Sequence, residues 1–137
     1  MAYDRNNIFA KILRGELPSV KVFEDEKTLA FMDIMPATEG HTLVIPKEEA
    51  ETLFDLSGEG ATNLIKTTKR VAMAVKKAFD CPGVMIAQLN GAAAGQTIPH
   101  IHVHILPRSQ ANFSLHGRTR ADPGALEALA DKIRSQL

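Results

Sequence analysis

The chain has 137 residues, 45% of them hydrophobic and 23% charged, a size and balance that predict one compact domain and exclude two large ones. Sixteen Lys and Arg against sixteen Asp and Glu give a formal charge of +0, which removes the bulk attraction to polyphosphate that non-specific nucleic-acid binders use and leaves only a local basic pocket open. No apolar run approaches the roughly 20 residues that cross a bilayer, and residues 1–7 are polar, so a soluble, cytoplasmic protein without nucleic-acid or membrane partners is expected.

Residues 7–13 carry Ile8, Phe9 and Ile12 at helical spacing, and Gly15 with Pro18 stops that helix. Val20 and Val22 alternate with Lys21, the run Glu24-Asp25-Glu26-Lys27 makes a polar turn, and residues 28–33 resume extended character, which predicts a hairpin. Pro36 and Gly40 punctuate a loop, residues 41–45 form a strand closed by Pro46, and residues 47–56 read as a short charged helix or turn. A long helix covers residues 59–79, with Ala61, Leu64, Ile65, Thr68, Val71, Ala72, Val75 and Phe79 inward and Lys66, Lys69, Lys76 and Lys77 on a solvated face. Ser57 is its N-cap, and Asp80-Cys81-Pro82-Gly83 ends it. A strand over 84–90, a loop over 91–99, a strand over 100–106, a turn-rich loop over 108–123 and a helix over 125–137 with Leu126, Leu129, Ile133 and Leu137 inward complete the chain. Strands outnumber helices without regular crossovers, which favours an antiparallel α+β fold over a doubly wound sheet. Cys81, the single cysteine, allows neither an internal disulfide nor a cysteine-based zinc framework and reads as a small, half-buried residue.

The chemistry concentrates in His100-Ile101-His102-Val103-His104-Ile105-Leu106, which holds three of the five histidines. On a strand, alternate side chains share a face about 6–7 Å apart, so three imidazoles would project together while Ile101, Val103 and Ile105 anchor the other face. Two readings stay open at this point. His-x-His can give two nitrogen ligands to zinc or another divalent ion, with His41 or Asp33 as a third. Alternatively, a neutral imidazole attacks phosphorus and forms a phosphohistidine, with Asn90-Gly91 and Gly95-Gln96-Thr97 presenting N–H, amide and hydroxyl groups to phosphate oxygens. No carboxylate lies between Val84 and Arg108, where a hard metal site would want one.

The same string matches the histidine triad (HIT) signature, His-φ-His-φ-His-φ-φ with φ apolar, and the resemblance extends further. Asn7-Ile8-Phe9-Ala10-Lys11-Ile12, Phe31-Met32-Asp33-Ile34, Gly40-His41-Thr42-Leu43-Val44-Ile45-Pro46-Lys47, Asn90-Gly91 and Gly95-Gln96-Thr97 resemble family segments in family order, over roughly residues 6–107. The chain is similar to the short branch of nucleoside-phosphoramidate hydrolases and not to the long uridylyltransferases. The resemblance implies an α+β fold with a five-stranded antiparallel sheet, a long helix and short N- and C-terminal helices. It also implies one domain over residues 1–137, with its core at 6–107 and a tail and helix at 108–137, and a homodimer joined through the long helix and a strand.

It further implies a two-step reaction with no cofactor and no obligatory metal. His102 would attack the α-phosphate, His104 would contact that phosphate, Gln96 and Thr97 would bind phosphate or the leaving group, and His100 and His41 would orient the nucleophile. Asp33 would bind ribose hydroxyls; Ile8, Phe9, Ile12, Phe31 and Ile34 would line the base slot; Asn90 and Gly95 would flank the phosphate. The residues alone allow plainer roles: core for Ile8, Phe9, Ile12 and Phe31, a turn cap for Asp33, a turn for Asn90-Gly91, and a surface position for His41. His116, with Arg118 and Arg120, reads as a solvated loop or as a substrate-facing tail. Some bacterial relatives hold structural zinc through a Cys-x-x-Cys at the first helix and a later histidine; Asn7, Ala10 and Glu49 stand there in this chain, so that site is expected to be absent.

The expected function is a hydrolase or transferase acting at the α-phosphate of purine nucleoside phosphoramidates or related adenylate conjugates, dinucleoside polyphosphates included, through a nucleotidyl-histidine. The alternatives are a nucleotide-binding regulatory protein with little catalysis and a metal-dependent hydrolase built on the histidine row.

Overall fold

The computed structural model describes residues 2–137; Met1, the first residue of the polar N-terminal stretch, lies outside the described residues. Among the described residues, β1 (Lys21–Glu24), β2 (Thr28–Met32), β3 (Thr42–Pro46), β4 (Gly83–Gln88) and β5 (Val103–Arg108) form one antiparallel sheet in the order β1-β2-β3-β5-β4. Asp25 makes the β1–β2 turn, its Oδ1 accepting the N–H groups of Lys27 and Thr28 at 2.9 and 2.8 Å, the local bonding that makes Asp a turn residue.

The period-two alternation of the strands divides the apolar residues between two layers. Ala30, Met32, Val44, Ile101, Val103 and Ile105 pack beneath the long helix α2 (Gly58–Phe79) and α3 (Pro123–Arg134). Leu29, Phe31, Leu43 and Ile45 face the opposite side, where α1 (Ile8–Leu13) contributes Phe9, Ile12 and Leu13. Burying an Ile or Val side chain is worth roughly 1.5–3 kcal/mol. Fixing Ile101, Val103 and Ile105 under α2 therefore turns His102 and His104 toward the α1 side.

Local capping sets the helix ends. Asn7 caps α1 by accepting the Ala10 N–H at 2.9 Å, Ser57 caps α2 by accepting that of Gly60 at 2.9 Å, and Asp122 caps α3 by accepting that of Ala125 at 3.1 Å. With Asp122 as cap and Pro123 in the first turn, α3 begins two residues before the expected 125 and ends at Arg134, which leaves Leu137 exposed. Ile65, expected inward, is 60% exposed, because it sits about 100° around α2 from Leu64, beyond the stripe the sheet covers. Residues 47–56 form turns without a helix.

The strand expected over 100–106 starts later, at Val103. Its β3 pairing runs from Thr42↔Ile105 to Val44↔Val103. Before that point the backbone turns aside, and the Ile101 N–H donates to the carbonyl of Ala50 at 2.9 Å instead of to a strand. His100 consequently lies on a bend, not in the row of alternating strand side chains.

Candidate active site

Four histidines lie on the α1 side of the sheet, and all are buried: His41, His100, His102 and His104. A buried imidazole needs partners for its ring nitrogens, and those partners assign the tautomers. His102 Nδ1 lies 2.7 Å from the carbonyl oxygen of His100, so it carries the proton and donates, leaving the Nε2 lone pair unshared. His100 Nε2 donates to the carbonyl of Pro46 at 2.8 Å, and its Nδ1 accepts from the Tyr3 hydroxyl. That hydroxyl accepts in turn from Asn7 Nδ2 at 2.8 Å.

A second chain of bonds runs through His41. The Ala37 N–H donates to His41 Nδ1 at 3.0 Å, so His41 Nε2 carries the proton and donates to His104 Nδ1 at 2.9 Å. This leaves the proton of neutral His104 on Nε2, which is buried and has no partner among the described residues. The ring centroids of His102 and His104 are 4.9 Å apart. The site therefore pairs a bare lone pair on His102 with an unanswered N–H on His104, an arrangement suited to attacking an electrophile while donating to its oxygen.

Burial also keeps these rings neutral. It lowers His41 and His100 to about 4 and His104 to about 3, with neighbouring Arg108 and His116 adding to the effect at His41 and the adjacent His102 and His41 at His104. His102 is lowered by burial, against the His100 carbonyl, which favours its protonated form. Asp33 carries two jobs: Oδ1 accepts the Met35 N–H at 2.8 Å, capping the turn, while Oδ2 approaches His41 Nε2 to 3.5 Å. Burial holds its carboxyl above the usual value. Asp33, His41 and His104 each offer a ligand atom within 4.8 Å of the others, although a metal ion there would displace the His41–His104 hydrogen bond.

The remaining expected residues divide by place. Phe9 and Phe31 belong to the apolar layer, but Phe9 also packs edge-on against His102, 4.9 Å between ring centroids, and against Phe31 at 5.4 Å. Ile12 is half-buried beside them, whereas Ile8 and Ile34 are exposed. Asn90 lies beyond the end of β4, where Oδ1 accepts the Leu53 N–H at 2.8 Å. Gln96 is expected on phosphate, yet its Oε1 accepts the Gly91 N–H at 2.7 Å and its Nε2 donates to the carbonyls of Glu51 and Ile98 at 2.7 and 2.9 Å. With its amide occupied by backbone, Gln96 staples the 91–98 loop. Gly95 closes the short 3₁₀ turn Ala92–Ala94, and Thr97 is exposed just after it.

Tyr3, the carbonyl of Pro46 and the N–H of Ala37 escape sequence reasoning, because an isolated tyrosine and two backbone groups carry no local pattern. His116 lies in the tail and is exposed, yet its ring stands 6.1 Å from that of His104 between centroids, at 89°.

The HIT domain model matches residues 14–111. The chain belongs to the HIT domain family. This HIT chain is 39% identical over 137 residues to "Protein hit" of Bacillus subtilis, covering 96% of the chain and 94% of that protein. It is 35% identical over 133 residues to an adenosine 5'-monophosphoramidase of Schizosaccharomyces pombe, covering 95% and 97%. Its fold superposes with TM-score 0.94, at 47% identity and 100% coverage of both chains, on a crystal structure of a Hit-like protein involved in cell-cycle regulation from Bartonella henselae with an unknown ligand. The five-stranded antiparallel sheet with three helices is thus the HIT fold. No helix among the described residues is long and apolar enough to cross a membrane.

Proposed function

We propose that this HIT chain hydrolyses nucleoside 5'-phosphoramidates, purine ones foremost, through a covalent nucleotidyl-His102. One observation carries the reading: His102 Nδ1 is committed to the His100 carbonyl at 2.7 Å, which frees Nε2 as the nucleophile. The lone pair of Nε2 forms a bond to the α-phosphorus as the P–N bond breaks, and the departing nitrogen takes up one proton. Water then attacks the phosphorus, the P–Nε2 bond breaks, one proton is released, and a nucleoside monophosphate leaves with His102 neutral again. His104 Nε2–H, otherwise unpartnered, donates to a phosphoryl oxygen as charge builds there. His41 and Ala37 keep His104 in that tautomer, and His100 fixes His102. Asp33 binds ribose hydroxyls, Thr97 the departing group, and Ile8, Phe9, Ile12, Phe31 and Ile34 the base. The relationship to an adenosine 5'-monophosphoramidase of Schizosaccharomyces pombe supports the choice of substrate.

We further propose that residues 1–137 act as one domain and that two copies pair through α2 and β4. Among the described residues the outer edge of β4 has no neighbouring strand, and Ile65, Met73 and Ile86 leave apolar surface exposed on these two elements.

The test is hydrolysis of adenosine 5'-phosphoramidate by wild type and His102→Ala, each with and without chelator, alongside thermal melts. Turnover in wild type that is lost in a folded His102→Ala protein and indifferent to chelator agrees with the mechanism. Wild-type turnover in His102→Ala overturns it. Loss to chelator with recovery on adding a divalent ion moves the chemistry to Asp33, His41 and His104, and nucleotide binding without turnover makes the protein a binding module.

A further inference from the structure

Residues 109–121 connect β5 to α3 without helix or strand, but they are tied down. The Arg108 guanidinium donates to the carbonyl of Ser114. Gly117 N–H donates to the carbonyl of Met35 at 3.2 Å, and Ala121 N–H to that of Ile34 at 2.8 Å. Gly117 lies so close to this loop that an added Cβ would collide with the carbonyl oxygens of Pro36 and Met35. The strap is therefore seated on residues 34–36, between Asp33 and the Ala37 N–H that orients His41.

This seating brings His116 to the site. Its ring stands perpendicular to that of His104 with 6.1 Å between centroids, and it stays open to solvent. His104 Nε2, buried and without a partner among the described residues, still needs an acceptor. Two rings with centroids 6.1 Å apart can share one oxygen through N–H···O bonds of about 2.9 Å once a nitrogen of each turns toward it. An anionic oxygen satisfies both rings at once and gains two charge-assisted bonds.

We propose that His116 is a fifth active-site histidine, which with His104 grips one phosphoryl oxygen of the bound nucleotide. This rests on the nucleotide-hydrolase reading and adds a substrate contact from outside the triad, supplied by the tail.

The experiment compares AMP, which carries the phosphoryl group, with adenosine, which lacks it, by calorimetric binding to wild type, His116→Ala, His116→Gln and Gly117→Ala. The expected result is a loss of about tenfold in AMP affinity for His116→Ala, the size of one charge-assisted hydrogen bond, with adenosine unaffected. His116→Gln should recover part of the loss through its amide N–H, and Gly117→Ala should reproduce it by lifting the strap. The kcat/KM for adenosine 5'-phosphoramidate should fall by a similar factor. Unchanged AMP affinity in His116→Ala, or equal weakening of AMP and adenosine, overturns the clamp while leaving wild-type turnover and the hydrolase reading intact. Wild type that neither binds AMP nor turns over overturns both.

Discussion

His102, the proposed nucleophile, owes its free Nε2 to a backbone carbonyl two residues earlier, and that carbonyl is held by the side chain of its own residue. His100 spans from Pro46 to Tyr3, 97 residues before it, so the tautomer of His102 depends on that tyrosine. Tyr3→Phe removes one hydroxyl and strands His100 Nδ1, while Asn7 Nδ2 keeps the Asp4 carbonyl at 2.7 Å; leaving a buried polar group unanswered costs about 1–3 kcal/mol. The expected outcome is a denaturation midpoint lowered to that extent and turnover reduced less than in His102→Ala, as read by urea unfolding and phosphoramidate hydrolysis. An unchanged midpoint would remove Tyr3 from the account. The histidines and Asp33 were legible in the sequence because type and spacing carry chemistry. Tyr3, the Ala37 N–H and the pairing of His116 with His104 were not, since each depends on a tertiary contact that leaves no periodic trace. Gln96 carries a structural job that its type and spacing do not show: its amide binds the backbone of the loop around it.

Periodicity predicts the elements, and local chemistry predicts their ends. The short apolar runs of β2 and β3, the alternation in β5 and the stripe of α2 are local patterns, so they survive folding. The start of β5 leaves no local trace because it depends on where β3 stops pairing, and the outward turn of Ile65 leaves none because it depends on which side of α2 the sheet covers. Gly40 shows how an element end positions the site. It precedes His41 at φ +92, where a Cβ would lie 2.7 Å from two ring atoms of Phe79 and 3.0 Å from Pro107 Cγ. Gly40→Ala combines a strained backbone with overpacking, each worth about 1–3 kcal/mol. A lower melting temperature and reduced turnover are expected together, because His41 moves with its neighbour; a variant with wild-type stability would show that the loop adjusts freely.

At the scale of the whole molecule, four buried neutral histidines tie folding to pH. In the folded state burial lowers His41 and His100 from 6.5 to about 4 and His104 to about 3. Between those values and 6.5 the unfolded chain binds more protons than the folded one, so stability falls as pH falls. Asp33, whose carboxyl is raised, opposes this toward the acid end. Melting temperature should be level above pH 7 and decline from about pH 6.5 to pH 4, the window set by these shifts; a flat profile over it would mean that the rings are not held neutral. The exposed apolar surface on α2 and β4 gives a second expectation. Light scattering should report a dimer for wild type and a monomer for Ile86→Glu, and a monomeric wild type would refute the pairing.

The most direct measurement of the central claim is the intact mass of the protein quenched rapidly, without acid, after mixing with adenosine 5'-phosphoramidate. A covalent adenylate on wild type, absent from His102→Ala and untouched by chelator, is the predicted result. Turnover in the absence of any adduct at every quench time, abolished by chelator, would contradict it and make an activated water, not His102, the nucleophile.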